Sequence, residues 1–152
     1  MIRKVTLAAA LAALLVSCAS TAPSSRAPLT DIAGVRLDMP RDTVRTTLAE
    51  TAKFEREERK RQEIWTLRND PRYASLIIGY SPEWNVRYVT AVARPDGEAV
   101  RAADVLDLAV AEDRAAGATH TYTWATGTPK YYIIGIGGPE RLEYLSLKKD
   151  PS

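Results

Sequence analysis

Cysteine, histidine and phenylalanine each occur once in these 152 residues, as Cys18, His120 and Phe54. A single cysteine excludes an internal disulfide, so stability has to come from a hydrophobic core. One histidine leaves a zinc site without a second imidazole or thiolate. It also leaves a catalytic triad with His120 as the sole candidate base, and no G-x-S-x-G turn is present to hold a nucleophile. His120 therefore reads as a strand residue beside Tyr122. The few glycines build no phosphate cradle, because Gly135-x-Gly137-Gly138 precedes Pro139 and a further strand instead of a helix. Asp104 and Asp107 fall where capping and the helix dipole explain them. No catalytic residue, metal ligand or cofactor is assigned, and the chain reads as a non-enzyme.

Long hydrophobic runs are missing too. The apolar stretch Val5 to Val16 falls well short of the about 20 residues that a spanning helix needs. It follows Arg3 and Lys4, the order of charged region and short apolar region in an export signal, so residues 1–17 are read as a signal peptide. Removing Arg3 and Lys4 brings the 21 basic residues level with the 19 acidic ones, which leaves no electrostatic footprint for nucleic acid.

Leu15-Val16-Ser17-Cys18 resembles a lipobox. The resemblance implies cleavage before Cys18, a thioether-linked diacylglycerol on its sulfur and acylation of the new amino group. Two or three long acyl chains exceed what stable membrane anchoring requires. Ala19 stands where an aspartate would imply retention in the inner membrane, so the same resemblance points to the outer membrane, with the folded part in the periplasm. Residues 18–30 are the lipidated cysteine and its tether: Ala19 to Thr30 is small and polar, with Pro23 and Pro28, and reads as disordered.

The remainder divides at an internal repeat. Leu76-Ile77-Ile78-Gly79-Tyr80 matches Tyr132-Ile133-Ile134-Gly135-Ile136, and Val86-Arg87-Tyr88-Val89-Thr90 matches Leu142-Glu143-Tyr144-Leu145-Ser146, both at an offset of 56 with no gap between the blocks. Trp65 and Trp124 sit 59 apart. The expected fold class is α+β, with two helix-plus-three-stranded antiparallel modules at 31–96 and 97–152 and the helices on one face. Alternation places strands at Gln62 to Arg68, Tyr73 to Tyr80, Val86 to Arg94, Thr119 to Thr126, Lys130 to Gly137 and Leu142 to Lys148. A first helix is expected over Arg41 to Ala52; the charged run Glu55 to Arg61, whose i,i+4 pairs could extend it, reads as a solvated helix end or loop, with an electrostatic docking site as the alternative. A second is expected from Asp104, with Val105, Leu108, Ala109 and Glu112 at helical spacing and Gly117 closing it.

Ile32-Ala33-Gly34-Val35-Arg36-Leu37-Asp38-Met39, followed by a helix carrying Val44 and Leu48, resembles the opening motif of the small SmpA/OmlA-type outer-membrane lipoproteins. Asp38 replaces the glycine usual in that motif, and no Leu-Gly-x-Pro follows the helix. The duplicated arrangement is similar to the tandem repeats of β-lactamase inhibitor proteins. These resemblances imply a non-enzymatic envelope accessory in outer-membrane assembly or maintenance, anchored by lipid and acting on an envelope protein partner. The alternative is a small-ligand or inhibitor-type binding module.

The expected contact surface is aromatic. Tyr88 and Tyr144 occupy equivalent repeat positions, on one strand face with Val86, Thr90, Leu142 and Ser146, while Val89, Ala91, Leu145 and Leu147 form the face for the helices. Tyrosine suits interfaces because its ring is apolar and its tip polar. Tyr80 and Trp84 are expected at the edges of that surface.

Overall fold

The computed structural model describes residues 26–59, 61–127 and 129–151. The expected signal peptide, Cys18 and the tether up to residue 25 lie outside them. In chain order the elements are α1 (Arg41–Leu48), β1 (Ala52–Glu58), β2 (Gln62–Leu67), β3 (Tyr73–Tyr80), β4 (Val86–Ala93), α2 (Ala102–Val105), β5 (Glu112–Ala116), β6 (Thr119–Ala125), β7 (Tyr131–Gly138) and β8 (Arg141–Lys149). All eight strands join one antiparallel sheet in the order β1-β2-β3-β4-β8-β7-β6-β5. This overturns the expected α+β pair of helix-plus-three-strand modules. The structure is sheet-dominated, the two helices among the described residues are short, and β4 and β8 pair at the centre of a continuous sheet.

Both helices end early, and a strand follows each. In α1 the hydroxyls of Thr46 and Thr47 donate to the carbonyls of Asp42 and Thr43, a competition with the backbone that weakens helices, and α1 stops at Leu48. The charged run beyond it is strand β1, where Lys53 pairs with Glu55 at 3.3 Å and Arg56 with Glu58 at 2.6 Å, two residues apart instead of four. In the second half the backbone turns extended at Leu106, which enters the core, while Leu108 and Val110 stay 43% and 57% exposed. The expected helix face through Leu108 and Ala109 never forms. Residues 112–116 are edge strand β5, and Gly117 serves the β5–β6 hairpin instead of a helix end.

The ungapped offset of 56 also fails. Leu76 faces Trp65 and Ile133 faces Trp124, so Leu76 corresponds to Ile133 and not to Tyr132. The turn after β7 takes up the difference: Gly137 faces Leu142 where Tyr80 faces Val86, one residue fewer between the strands. Register shifts at the same place in both halves, between Gly79 and Tyr80 and between Ile136 and Gly137, reverse the alternation near the strand ends. Val86 and Leu142 are therefore buried with Val89, Ala91, Leu145 and Leu147, off the tyrosine face on which alternation had placed them.

One core forms on one side of the sheet. Val44 and Leu48 from α1, and Ala102 and Leu106 from around α2, pack with Leu76, Ile78, Ile133 and Leu147. The end of the tether joins the body: Tyr131 Oη donates to the Leu29 carbonyl at 2.8 Å, and the Arg26 guanidinium donates to the Ala103 carbonyl. Residues 26–30 are thus tied to the body at Arg26 and Leu29, with Arg26, Ala27, Pro28 and Thr30 exposed, against the expectation of disorder.

Candidate functional site

The two faces of the sheet differ. On the core side lie Trp65, Leu67, Leu76, Ile78, Val89 and Ala91, all buried. The other side is held together by cross-strand rows, and the middle row crosses all eight strands: Arg56, Ile64, Ile77, Thr90, Ser146, Ile134, Thr123 and Glu112 stand directly opposite one another in succession. Its six inner members are half-buried and uncharged, with Thr90 Oγ1 and Ser146 Oγ 2.7 Å apart at the β4–β8 seam. Val92, Tyr144 and Ile136 form part of the next row on the same side. An antiparallel sheet with one face on a core ordinarily presents polar residues on the other. Here the face, uncovered among the described residues, keeps four isoleucines, one valine and three tyrosines: Ile64, Ile77, Ile134, Ile136, Val92, Tyr88, Tyr132 and Tyr144.

The expected contact residues divide between the two sides. Tyr88 and Tyr144 both lie on the open face, four residues apart along the paired strands, about 14 Å. Tyr144 is 39% exposed, whereas Tyr88 is half-buried and donates its hydroxyl to Gln62 Oε1 at 2.7 Å. Burial pushes the Tyr88 phenol above its ordinary value. Its ring covers Gly79, where an added Cβ would fall 2.0 Å from Tyr88 Cε1. Gly79→Ala is accordingly expected to expel the Tyr88 ring and to cost about 1–3 kcal/mol, as overpacking does. Urea unfolding measures it, and the cost should vanish when Tyr88→Ala is already present.

Tyr80 and Trp84 lie on the core side instead. Tyr80 is buried and donates its hydroxyl to Glu63 Oε2 at 2.9 Å. Trp84 sits in the left-handed region at φ +63°, costly for a bulky residue. Its carbonyl accepts the Arg41 N–H at 2.9 Å and its ring lies 4.1 Å beneath the Arg41 guanidinium.

Glu63 is the polar centre of that side. It is fully buried and accepts hydrogen bonds from Arg41 Nε at 2.6 Å, Arg45 Nη2 at 2.7 Å, Tyr80 Oη at 2.9 Å and Trp65 Nε1 at 3.1 Å. Burial alone would raise its carboxyl, but the hydrogen bonds from Arg41, Arg45, Tyr80 and Trp65 together hold it below the ordinary 4.5. Burial and the neighbouring Glu63 charge push the Tyr80 phenol far up. The arrangement clamps α1 to β2 and β3 with every donor answered. His120 is part-exposed, with Nδ1 2.9 Å from Asp113 and its ring stacked on Tyr122 at 5.4 Å. Asp104 pairs with Arg101, and Asp107 accepts from the Ala109 N–H.

A separate cleft of about 430 Å³ opens where the tether meets the body, lined by Pro28, Leu37, Pro129 and Tyr131 together with Arg36, the Asp38–Lys149 ion pair and Lys130, which pairs with Asp150. Among the described residues no three His, Cys, Asp or Glu side chains gather into a group that could hold a metal ion, and no helix is long and apolar enough to cross a membrane. Compared with protein-family models, curated proteins and solved structures, the chain matches none.

Two features escaped the sequence reading. Glu63 shares the inward register of Trp65 and Leu67, a charge at a core position that foretells a buried partner. The isoleucines of the open face were announced by Leu76-Ile77-Ile78 and Ile133-Ile134, runs too continuous for strands that meet water on one side.

Proposed function

We propose that this chain is a lipid-anchored, non-enzymatic component of the bacterial outer membrane that acts by protein–protein contact through the open face of its sheet. The observation that carries the reading is that face: a sheet surface, uncovered among the described residues, whose central row is uncharged over its six inner members and part apolar, which suits the desolvated core of an interface more than a solvated surface. The lipobox-like Leu15-Val16-Ser17-Cys18 supports the anchor and Ala19 the outer membrane. Mass spectrometry of the mature N-terminus is expected to find Cys18 first and carrying lipid. An unmodified Cys18, or cleavage elsewhere, sinks the anchor.

For the surface, the test is Tyr88→Ala with Tyr144→Ala, followed by partner capture from the protein's own membranes and thermal melting side by side. Interface anchors cost more than about 1 kcal/mol each when truncated, so capture should weaken at least about fivefold per tyrosine. Tyr144 should contribute to capture with little change in melting, since it is the more exposed. Capture that falls only as far as the lost folded fraction explains would return both tyrosines to a structural role.

The cleft favours a second reading, a module for a small ligand with an apolar body and an anionic group, since its volume lies in the range of ligand sites. Gly127 lines it, and a Cβ there meets no atom within 4 Å. Gly127→Leu should therefore fill the cleft without disturbing the fold. On the second reading it abolishes stabilisation by the ligand; on the first it leaves partner capture intact.

A further inference from the structure

We infer that the occupant of the open face is a second copy of this chain, stacked sheet against sheet about a two-fold axis parallel to the β4–β8 seam. The inference rests on the reading of that face as a protein contact surface and commits it to one partner. An isologous interface demands a surface complementary to itself. The strand order has this property, because β4 and β8 meet at the centre, β3 and β7 flank them, and β1 and β5 close the edges. Turning the middle row end for end lays Arg56 over Glu112, Ile77 over Ile134 and Thr90 over Ser146.

The reversed row thus matches charge with opposite charge at its ends, Ile64 with the methyl-bearing Thr123 and Ile77 with Ile134 inside, and hydroxyl with hydroxyl at the seam. At present Arg56 pairs with Glu58 and Glu112 with Arg114, both on exposed strand surface, and such weak pairs can exchange partners at little cost. Size fits as well. Eight strands spaced about 4.8 Å apart and overlapping over some six residues give a face roughly 34 Å by 20 Å, about 700 Å², against the about 800 Å² per partner of a stable interface. Stacked sheets sit about 10 Å apart with their strands nearly aligned, the geometry a flat row of isoleucine and threonine side chains can fill.

The experiment is thiol crosslinking of the mature lipoprotein in its own membranes with Ile77→Cys and Ile134→Cys together, using a bifunctional maleimide that spans no more than about the 10 Å between stacked sheets. Within one chain these positions lie three strand spacings apart, about 14 Å, beyond the reach of that reagent, so any crosslink joins two copies. The reagent should trap most of the double variant as a dimer, and either single variant several-fold less. In parallel, sedimentation of the detergent-solubilised protein should show a dimer whose dissociation constant rises at least 100-fold in Ile134→Lys, with the melting curve of the dissociated chain unchanged. A monomeric parent protein, or a dimer that survives Ile134→Lys, overturns the inference. If the protein is monomeric yet Tyr88→Ala with Tyr144→Ala still loses a captured partner, the contact-surface reading stands and only the second copy falls. If the dimer forms and capture is unaffected, the second copy stands and the envelope partner is lost from this face.

Discussion

Glu63→Ala is expected to remove about 3–5 kcal/mol of unfolding free energy, the loss typical of breaking a buried ion pair from one side. Four donors converge on this carboxylate, and removing it strands Tyr80 Oη and Trp65 Nε1 inside the core and leaves Arg41 and Arg45 facing a void. Arg41 keeps Glu57 at 2.7 Å and Arg45 is partly exposed, so water and Glu57 recover some of the loss and favour the lower half of that range. Glu63→Gln fills the space and can still accept from Tyr80 and Trp65, and should lose less. Urea unfolding at neutral pH decides it; a loss under about 1 kcal/mol in the alanine variant would mean that the clamp contributes little to holding α1.

The same site predicts an acid dependence. The folded carboxyl of Glu63 titrates below its ordinary 4.5, so the native state resists protonation there more than the unfolded chain does. Its contribution is complete above the unfolded value and drains away as pH falls below 4.5 and through the folded value. The stability gap between the parent protein and Glu63→Gln should consequently be constant near neutrality and narrow on acidification. A gap that widens in acid would contradict the direction of the shift.

Gly137→Ala should cost about 2–4 kcal/mol, combining a backbone conformation that side chains rarely adopt with a steric clash. Gly137 has φ +140°, and a Cβ on it would lie 2.7–2.8 Å from Glu143 N, Arg141 O and Leu142 Cα, all of them backbone or Cα atoms that cannot rotate away. It stands at the register shift that lets β7 regain step with β8. Relief requires the bulge to move, which would turn the inward residues of one strand end outward. The signature is therefore double: a lower urea midpoint, and altered amide exchange confined to the β7–β8 hairpin. Loss of stability with unchanged exchange there would mean that the bulge tolerates a side chain.

Six strands could be read from the chain with bounds within a residue or two, and Tyr73–Tyr80 without any difference, because each contributes alternate side chains to a core and alternation survives in composition. The two edge strands could not. β1 buries little beyond Ala52 and β5 buries nothing, so neither carries a period of two, and charges four apart suggested a helix instead. Tyr88 and Tyr144 were recognisable as partners on one face because they sit at equivalent repeat positions; Tyr80 shares the inward register of Leu76 and Ile78, which alternation along its own strand could have shown, whereas the position of Trp84 depended on Arg41, which no local pattern reveals.

The sequence by itself determined the order of Arg3 and Lys4 before the apolar run Val5 to Val16, the lone Cys18, the periodic strands and the absence of a histidine or thiol pair, since each is a property of residue types and their spacing. Tertiary structure alone decided that the two halves join through β4 and β8 into one sheet, that the β7–β8 turn is one residue shorter than the β3–β4 turn, and that one broad face carries isoleucine and tyrosine without cover among the described residues. Pairing between strands some 56 residues apart is chosen by the hydrogen bonds and packing of the whole sheet, and those energies exist only once the distant segments have met.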